Sequence, residues 1–147
     1  MAFEIKLLEA SVGISETSDE MIGEITIDDF RESFSVSIGY WSKYDYIKQW
    51  EQALRTLIEA PDNMTSALVS DMHDPASANF IVCWPLYKQG KCVYIRNQIL
   101  FLDQLPHPFD IENIGMYVEN RTLTTADGEQ ISEWETTKND LESFLGQ

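Results

Sequence analysis

The chain has 147 residues, 44% of them hydrophobic and 12% aromatic, enough for one folded domain with its own core and enough to exclude general disorder. Asp and Glu number 25 against 10 Lys and Arg, a net charge of −15. A surface of that sign repels nucleic-acid phosphates and anionic membranes and draws a basic protein toward it; its plain alternative is solubility alone.

Glu4, Lys6 and Glu9 break any apolar leader at the N-terminus. The longest uncharged apolar run, Ala78 to Tyr87, is far short of the roughly 20 residues that cross a bilayer, so the expected location is the cytoplasm. Phe3 to Leu8 alternates as a first strand, and polar Ser11 to Met21 reads as loop. Gly23 to Ile27 and Phe30 to Ile38 are predicted strands. In the second, Phe30, Glu32, Phe34, Val36 and Ile38 share one face, with Glu32 at its exposed end; Arg31, Ser33, Ser35 and Ser37 line the wet one. Lys43 to Ala60 is the clearest helix. Ser42 and Asp45 can cap its start, the stripe Tyr46, Ile47, Trp50, Ala53, Leu54, Leu57, Ile58 forms its apolar face, and Pro61 stops it.

Ser66 to Met72 is a short strand, followed by a turn at His73-Asp74-Pro75 and a strand from Asn79 to Tyr87. Lys88 to Lys91 is a turn into the return strand Cys92 to Leu102. With Gln89-Gly90 as the two-residue loop, Tyr87 faces Cys92, Leu86 faces Val93, Trp84 faces Ile95 and Cys83 faces Arg96. Phe80, Val82, Trp84 and Leu86 then share a core face with Val93, Ile95, Ile99 and Phe101. Cys83 and Cys92 are too far apart along this ladder for a disulfide, so two free thiols are expected. Pro85 cannot donate to a ladder, which predicts a sheet edge or a bulge there. Beyond Leu102, the expectations are a loop at Leu105 to Phe109, one helical turn at Asp110 to Ile114, a strand at Met116 to Leu123 and a turn at Ala126 to Glu129. A strand at Ile131 to Thr136 and a helix from Lys138 to Leu145, capped by Thr137, complete the chain. The fold class is α+β: one domain of mainly antiparallel sheet or sheets, with a long helix at about 43–60 and a C-terminal helix.

Three sets of residues could carry chemistry. Asp71, His73 and Asp74 could chelate a metal and support a metal-assisted hydrolase, but Asp-Pro is also a common turn opener whose aspartate caps its own turn. The only other histidine is His107, between two prolines. Cys83 and Cys92 have no neighbouring base and read as small hydrophobes, and no glycine-rich phosphate loop occurs, so neither metal nor cofactor is expected. The acids, by contrast, cluster. Glu16, Asp19, Glu20, Glu24, Asp28, Asp29 and Glu32 form one group; Asp127, Glu129, Glu133, Glu135, Asp140 and Glu142 form another. If the two meet beside Tyr40, Trp41, Tyr44 and Trp134 they make a protein-binding surface, since aromatics anchor and acids steer; otherwise they are separate solvated faces. The candidate binding residues are Asp19, Glu20, Asp28, Asp29, Glu32, Tyr40, Trp41, Glu133, Trp134 and Glu135.

The stretches GYWSKYDYIKQWEQAL, SALVSDMHDPASANFIVCWPLY, VYIRNQILFL and ISEW resemble, in order, the CdiI-type immunity proteins of bacterial contact-dependent growth inhibition. The resemblance runs from about Gly23 to Leu145 and leaves out the first 20 or so residues. It implies a non-catalytic cytosolic protein that neutralises the C-terminal toxin domain of a CdiA-type effector. One member of this type neutralises a nuclease that cleaves ribosomal RNA, and its fold is Whirly-like. The family motifs are structural, so no toxin-contacting residue carries over. A nuclease domain is commonly basic, and an inhibitor of charge −15 suits it. The remaining alternative is an acidic adaptor for another basic protein.

Overall fold

The computed structural model describes residues 2–8, 20–61, 64–105, 109–122, 124 and 127–146. Strands β1 (Phe3–Leu8), β2 (Glu20–Ile27) and β3 (Phe30–Ser37) make an antiparallel sheet in that order. Alternation along β3 is as the sequence predicts: Phe30, Glu32 and Phe34 are half-buried and Val36 buried, while Arg31, Ser33 and Ser35 are exposed. Strand β2 begins at Glu20, inside the expected loop; Ser11 to Asp19 lie outside the described residues.

Helix α1 (Lys43–Glu59) starts in a complete capping box between Ser42 and Asp45. It buries Tyr46, Trp50, Ala53, Leu54 and Leu57. Its C-terminal carbonyls have a partner no local pattern announces: buried Lys88 donates Nζ to Ile58 O at 3.2 Å and Ala60 O at 2.5 Å. Helix α2 (Lys138–Leu145), capped by Thr137, buries Leu141.

A second antiparallel sheet contains β4 (Thr65–Asp71), β5 (Phe80–Gln89), β6 (Cys92–Ile95), β7 (Gln98–Phe101) and β8 (Trp134–Thr137). Its order is β4-β5-β6-β8, with β7 also paired to β5. The hairpin register differs from expectation by two residues. Gln89 pairs with Cys92 and Tyr87 with Tyr94, because Gly90-Lys91 is the loop and Gly90 takes the positive φ of 64°. Cys83 therefore lies opposite Gln98 and not Arg96; both cysteines are free. The edge expected at Pro85 is a local gap, not the edge of the sheet. β5 is central, and the return strand breaks after Ile95, where Arg96 N–H still reaches Pro85 O at 3.0 Å. Met116 to Leu123 is not a strand: Ile111–Met116 is a 3-10 segment that a turn ends at Tyr117, and Leu123 lies outside the described residues. The last strand starts later than expected, at Trp134.

The core face expected on β5 holds only at its hairpin end. Trp84, Leu86, Val93 and Ile95 are buried, but Phe80, Ile99 and Phe101 are exposed. Away from the hairpin, around Phe80, the opposite face (Ile81, Cys83 and Leu100) is the buried one. The reason is the placement of the first sheet. β3 crosses the second sheet, with Phe30 stacked on Trp134 of β8, Phe34 beside Trp84 of β5, and Ser37 N–H bonded to Asp71 of β4 at 2.9 Å. Phe34 thus covers Trp84, while Phe80 stays 40% exposed.

Candidate interaction surface

Asp71, His73 and Asp74 do converge in part. His73 Nε2 lies 3.0 Å from Asp71 Oδ2. Asp71 Oδ1 already accepts the Ser37 N–H, and Asp74 accepts Ala76 N–H into its own turn at 2.9 Å. Among the described residues no group of three or more His, Cys, Asp or Glu could hold a metal ion. The arrangement is that of a turn that ties β4 to β3.

The acidic and aromatic candidates fall at two ends of the molecule. At one end, Asp28 and Asp29 form the β2–β3 turn, both exposed, with Asp28 in the left-handed region at φ 57°. Phe30 follows and stacks on Trp134 at 4.0 Å, which brings this turn beside β8. Glu32 is half-buried on the adjoining face of β3, and Glu135 is exposed on β8 opposite Tyr94. At the other end, Glu20 pairs with Ser37, and Tyr40 and Trp41 lead into α1. The length of β3, at roughly 3.3 Å per residue about 23 Å, separates the two. Trp41 packs edge-on to Tyr46 at 5.2 Å and lines a cavity of about 510 Å³ between α1 and the 3-10 segment. Asp19 lies outside the described residues.

Glu133 is a special case among the acids. Its carboxylate accepts Arg96 Nε at 2.8 Å, Arg121 Nε at 2.9 Å and Arg121 Nη2 at 2.7 Å. Arg96 also donates to Thr122 O, and Arg121 lies 3.9 Å from the Tyr94 ring centroid. Burial alone would raise the Glu133 carboxyl, but the bonds to Arg121 and Arg96 outweigh it and hold it below the ordinary carboxylate value. Its charge is thus matched internally.

The chain matches the family described as the CdiI N-terminal domain over residues 36–144. The chain belongs to the CdiI immunity-protein family. It is 39% identical over 121 residues to the "Immunity protein CdiI" of Enterobacter cloacae subsp. cloacae, covering 82% of this chain and 81% of that one. It is also similar to a chain of a solved "CdiA-CT/CdiI toxin and immunity complex from Enterobacter cloacae", at 32% identity and a TM-score of 0.83, covering 98% of this chain and 96% of that one. The CdiI family match contains Tyr40, Trp41 and Glu133 to Glu135 but begins after Glu20, Asp28, Asp29 and Glu32.

Beyond the Lys88 cap and the Glu133 cluster, sequence reasoning missed two features of this CdiI-family chain. One is the cover on the open edge of β4: the Gln49 side-chain amide donates to Ala67 O at 2.8 Å and accepts Val69 N–H at 2.9 Å, and Trp50 Nε1 donates to Val69 O at 2.7 Å. Gln49 sits one position from the helix's apolar stripe, a weak local signal. The other is the exposure of Phe80, Ile99 and Phe101, which alternation alone assigned to the core.

Proposed function

We propose that this chain is the immunity protein of a contact-dependent growth inhibition system. It binds the C-terminal toxin domain of a CdiA-type effector in the cytoplasm and neutralises it, with no catalysis and no cofactor. The observation that carries this reading is the similarity, over 98% of the chain, to a chain of a solved complex of a CdiA-CT toxin with its CdiI immunity protein. The partner is a basic nuclease domain. The charge of −15 supports this, because it speeds association with a cationic surface and competes with the phosphates a nuclease holds. The same charge argues against binding nucleic acid or anionic membrane directly. No helix among the described residues is long and apolar enough to cross a membrane. Asp28, Asp29, Glu32 and Glu135 with Trp134 at one end, and Glu20, Tyr40 and Trp41 at the other, are the residues proposed to meet or steer the toxin, joined by Asp19. Glu133 contributes through the shape of its arginine cluster.

The test is protection. Cells expressing the toxin domain of the effector encoded with this chain should grow when the chain is co-expressed and stop growing when it is absent. The His73→Ala variant should protect as well as wild type. Protection retained by His73→Ala would end the hydrolase reading, and no protection by wild type would end the immunity reading.

A further inference from the structure

The β5–β7 strand pair leaves an apolar face open. Phe80 lies opposite Phe101 and Val82 opposite Ile99, so their side chains are neighbours on one face. Phe80 is 40% exposed, Ile99 48% and Phe101 47%. Single exposed apolar residues need no explanation, but an adjoining set with two aromatics on one sheet face marks a contact site. Internal packing cannot hide it, because the reverse face of the same strands, Ile81, Cys83 and Leu100, is already buried. A one-residue slip that hid Phe80 would expose those three. Strand β7 pairs only with β5 among the described strands, so its other edge is also unpaired by strand.

The rim of this face is acidic. Asp71 pairs with Val82, Asp74 opens the turn that leads to Phe80, and Asp103 follows Leu102, whose N–H bonds Asn79 O at 3.0 Å. Residues 69–82 and 97–105 contain these three aspartates and no lysine or arginine. His73, edge-on to Phe80 at 6.2 Å, is held by Asp71. Tyr40, 52% exposed, stands three residues beyond the Ser37 that bonds Asp71. A second copy of this chain is a poor occupant, since it would set aspartates against aspartates between two bodies of charge −15. A cationic protein surface with an apolar centre satisfies both the face and its rim.

We infer that Phe80, Val82, Ile99 and Phe101 anchor the toxin domain, with the exposed Asp74 and Asp103 pairing with its cations around them. This rests on the immunity reading and assigns that reading a contact surface. The acids on the β2–β3 turn and β8 then act at longer range, on the encounter rate.

The experiment is titration calorimetry of the full chain against the C-terminal toxin domain of its own effector, for wild type, Phe101→Ala and Ile99→Lys. Circular dichroism and thermal melts confirm that each variant folds. Wild type should bind tightly, Phe101→Ala about tenfold or more weakly, and Ile99→Lys more weakly still, because it puts a cation at the centre of the contact. Wild-type binding with both folded variants within about twofold of it would overturn the surface and leave immunity standing. No binding by wild type would overturn both. Sedimentation showing a wild-type dimer that Ile99→Lys dissociates would overturn the toxin as occupant.

Discussion

Glu133→Ala should destabilise the fold strongly, though the residue is one acid among 25. The substitution removes the carboxylate that bridges Arg96 and Arg121, whose side chains are 8% and 19% exposed; Glu133 itself is 15% exposed. Three charge-assisted bonds at roughly 1.5–3 kcal/mol each would suggest about 5–9 kcal/mol. They share one acceptor group, however, and the guanidinium groups keep other partners in Thr122 O and the Tyr87 and Tyr94 rings. Removing one member of a buried ion pair costs about 3–5 kcal/mol, and residual solvent access places this site near 3 kcal/mol. For a domain of this size that lowers Tm by about 6–12 °C. Glu133→Gln, which keeps an acceptor and loses the charge, should fall between the two. The pH dependence has a definite sign. The folded carboxyl titrates below its ordinary value of 4.5, so its contribution is complete above that value and is lost as pH falls through the lower folded one. Thermal melts by circular dichroism from pH 7 down to acid would show a shallower acid limb in Glu133→Gln than in wild type. A Glu133→Ala Tm within about 2 °C of wild type would refute the reasoning.

Gln49→Leu should leave Ala67 C=O and Val69 N–H without their side-chain partner, at a cost of roughly 2–4 kcal/mol, and speed amide exchange at Val69; unchanged protection would contradict this. A Cβ at Gly115 would meet the backbone oxygen of Thr65 at 2.1 Å, so Gly115→Ala should cost roughly 1–3 kcal/mol in a urea melt. Burial pushes the Cys83 thiol up to about 12, and Cys92 is also raised, first by its bond to Glu135. Iodoacetamide at pH 8 should therefore label Cys83 only on unfolding and Cys92 slowly; rapid labelling of Cys83 in the native state would contradict the core placement.

Elements with local signals were legible. Ser42, Asp45 and Thr137 carry capping chemistry within a few residues of what they cap, β3 alternates cleanly and β1 loosely. What depended on distant packing was not. The Gly90 turn admits two loop placements from sequence, and only the ladder distinguishes them. Which face of Phe80 to Val82 is inside depends on what packs on the second sheet from elsewhere in the chain, and nothing in residues 80–101 encodes that. The Glu133 cluster joins residues 37 and 12 positions apart, so sequence reading counted Glu133 as a surface acid. The turn reading of Asp74 was legible because the aspartate caps only two residues away. Asp28, Asp29 and Trp134 come together through one ring stack across the two sheets, while Tyr40 and Trp41 stay at the far end of β3.

The most direct test of the central claim is titration calorimetry of the chain against the C-terminal toxin domain of its own effector, at low and at high salt. The account predicts tight one-to-one binding that weakens as salt screens the acidic surface. Absence of binding at either salt concentration would contradict it.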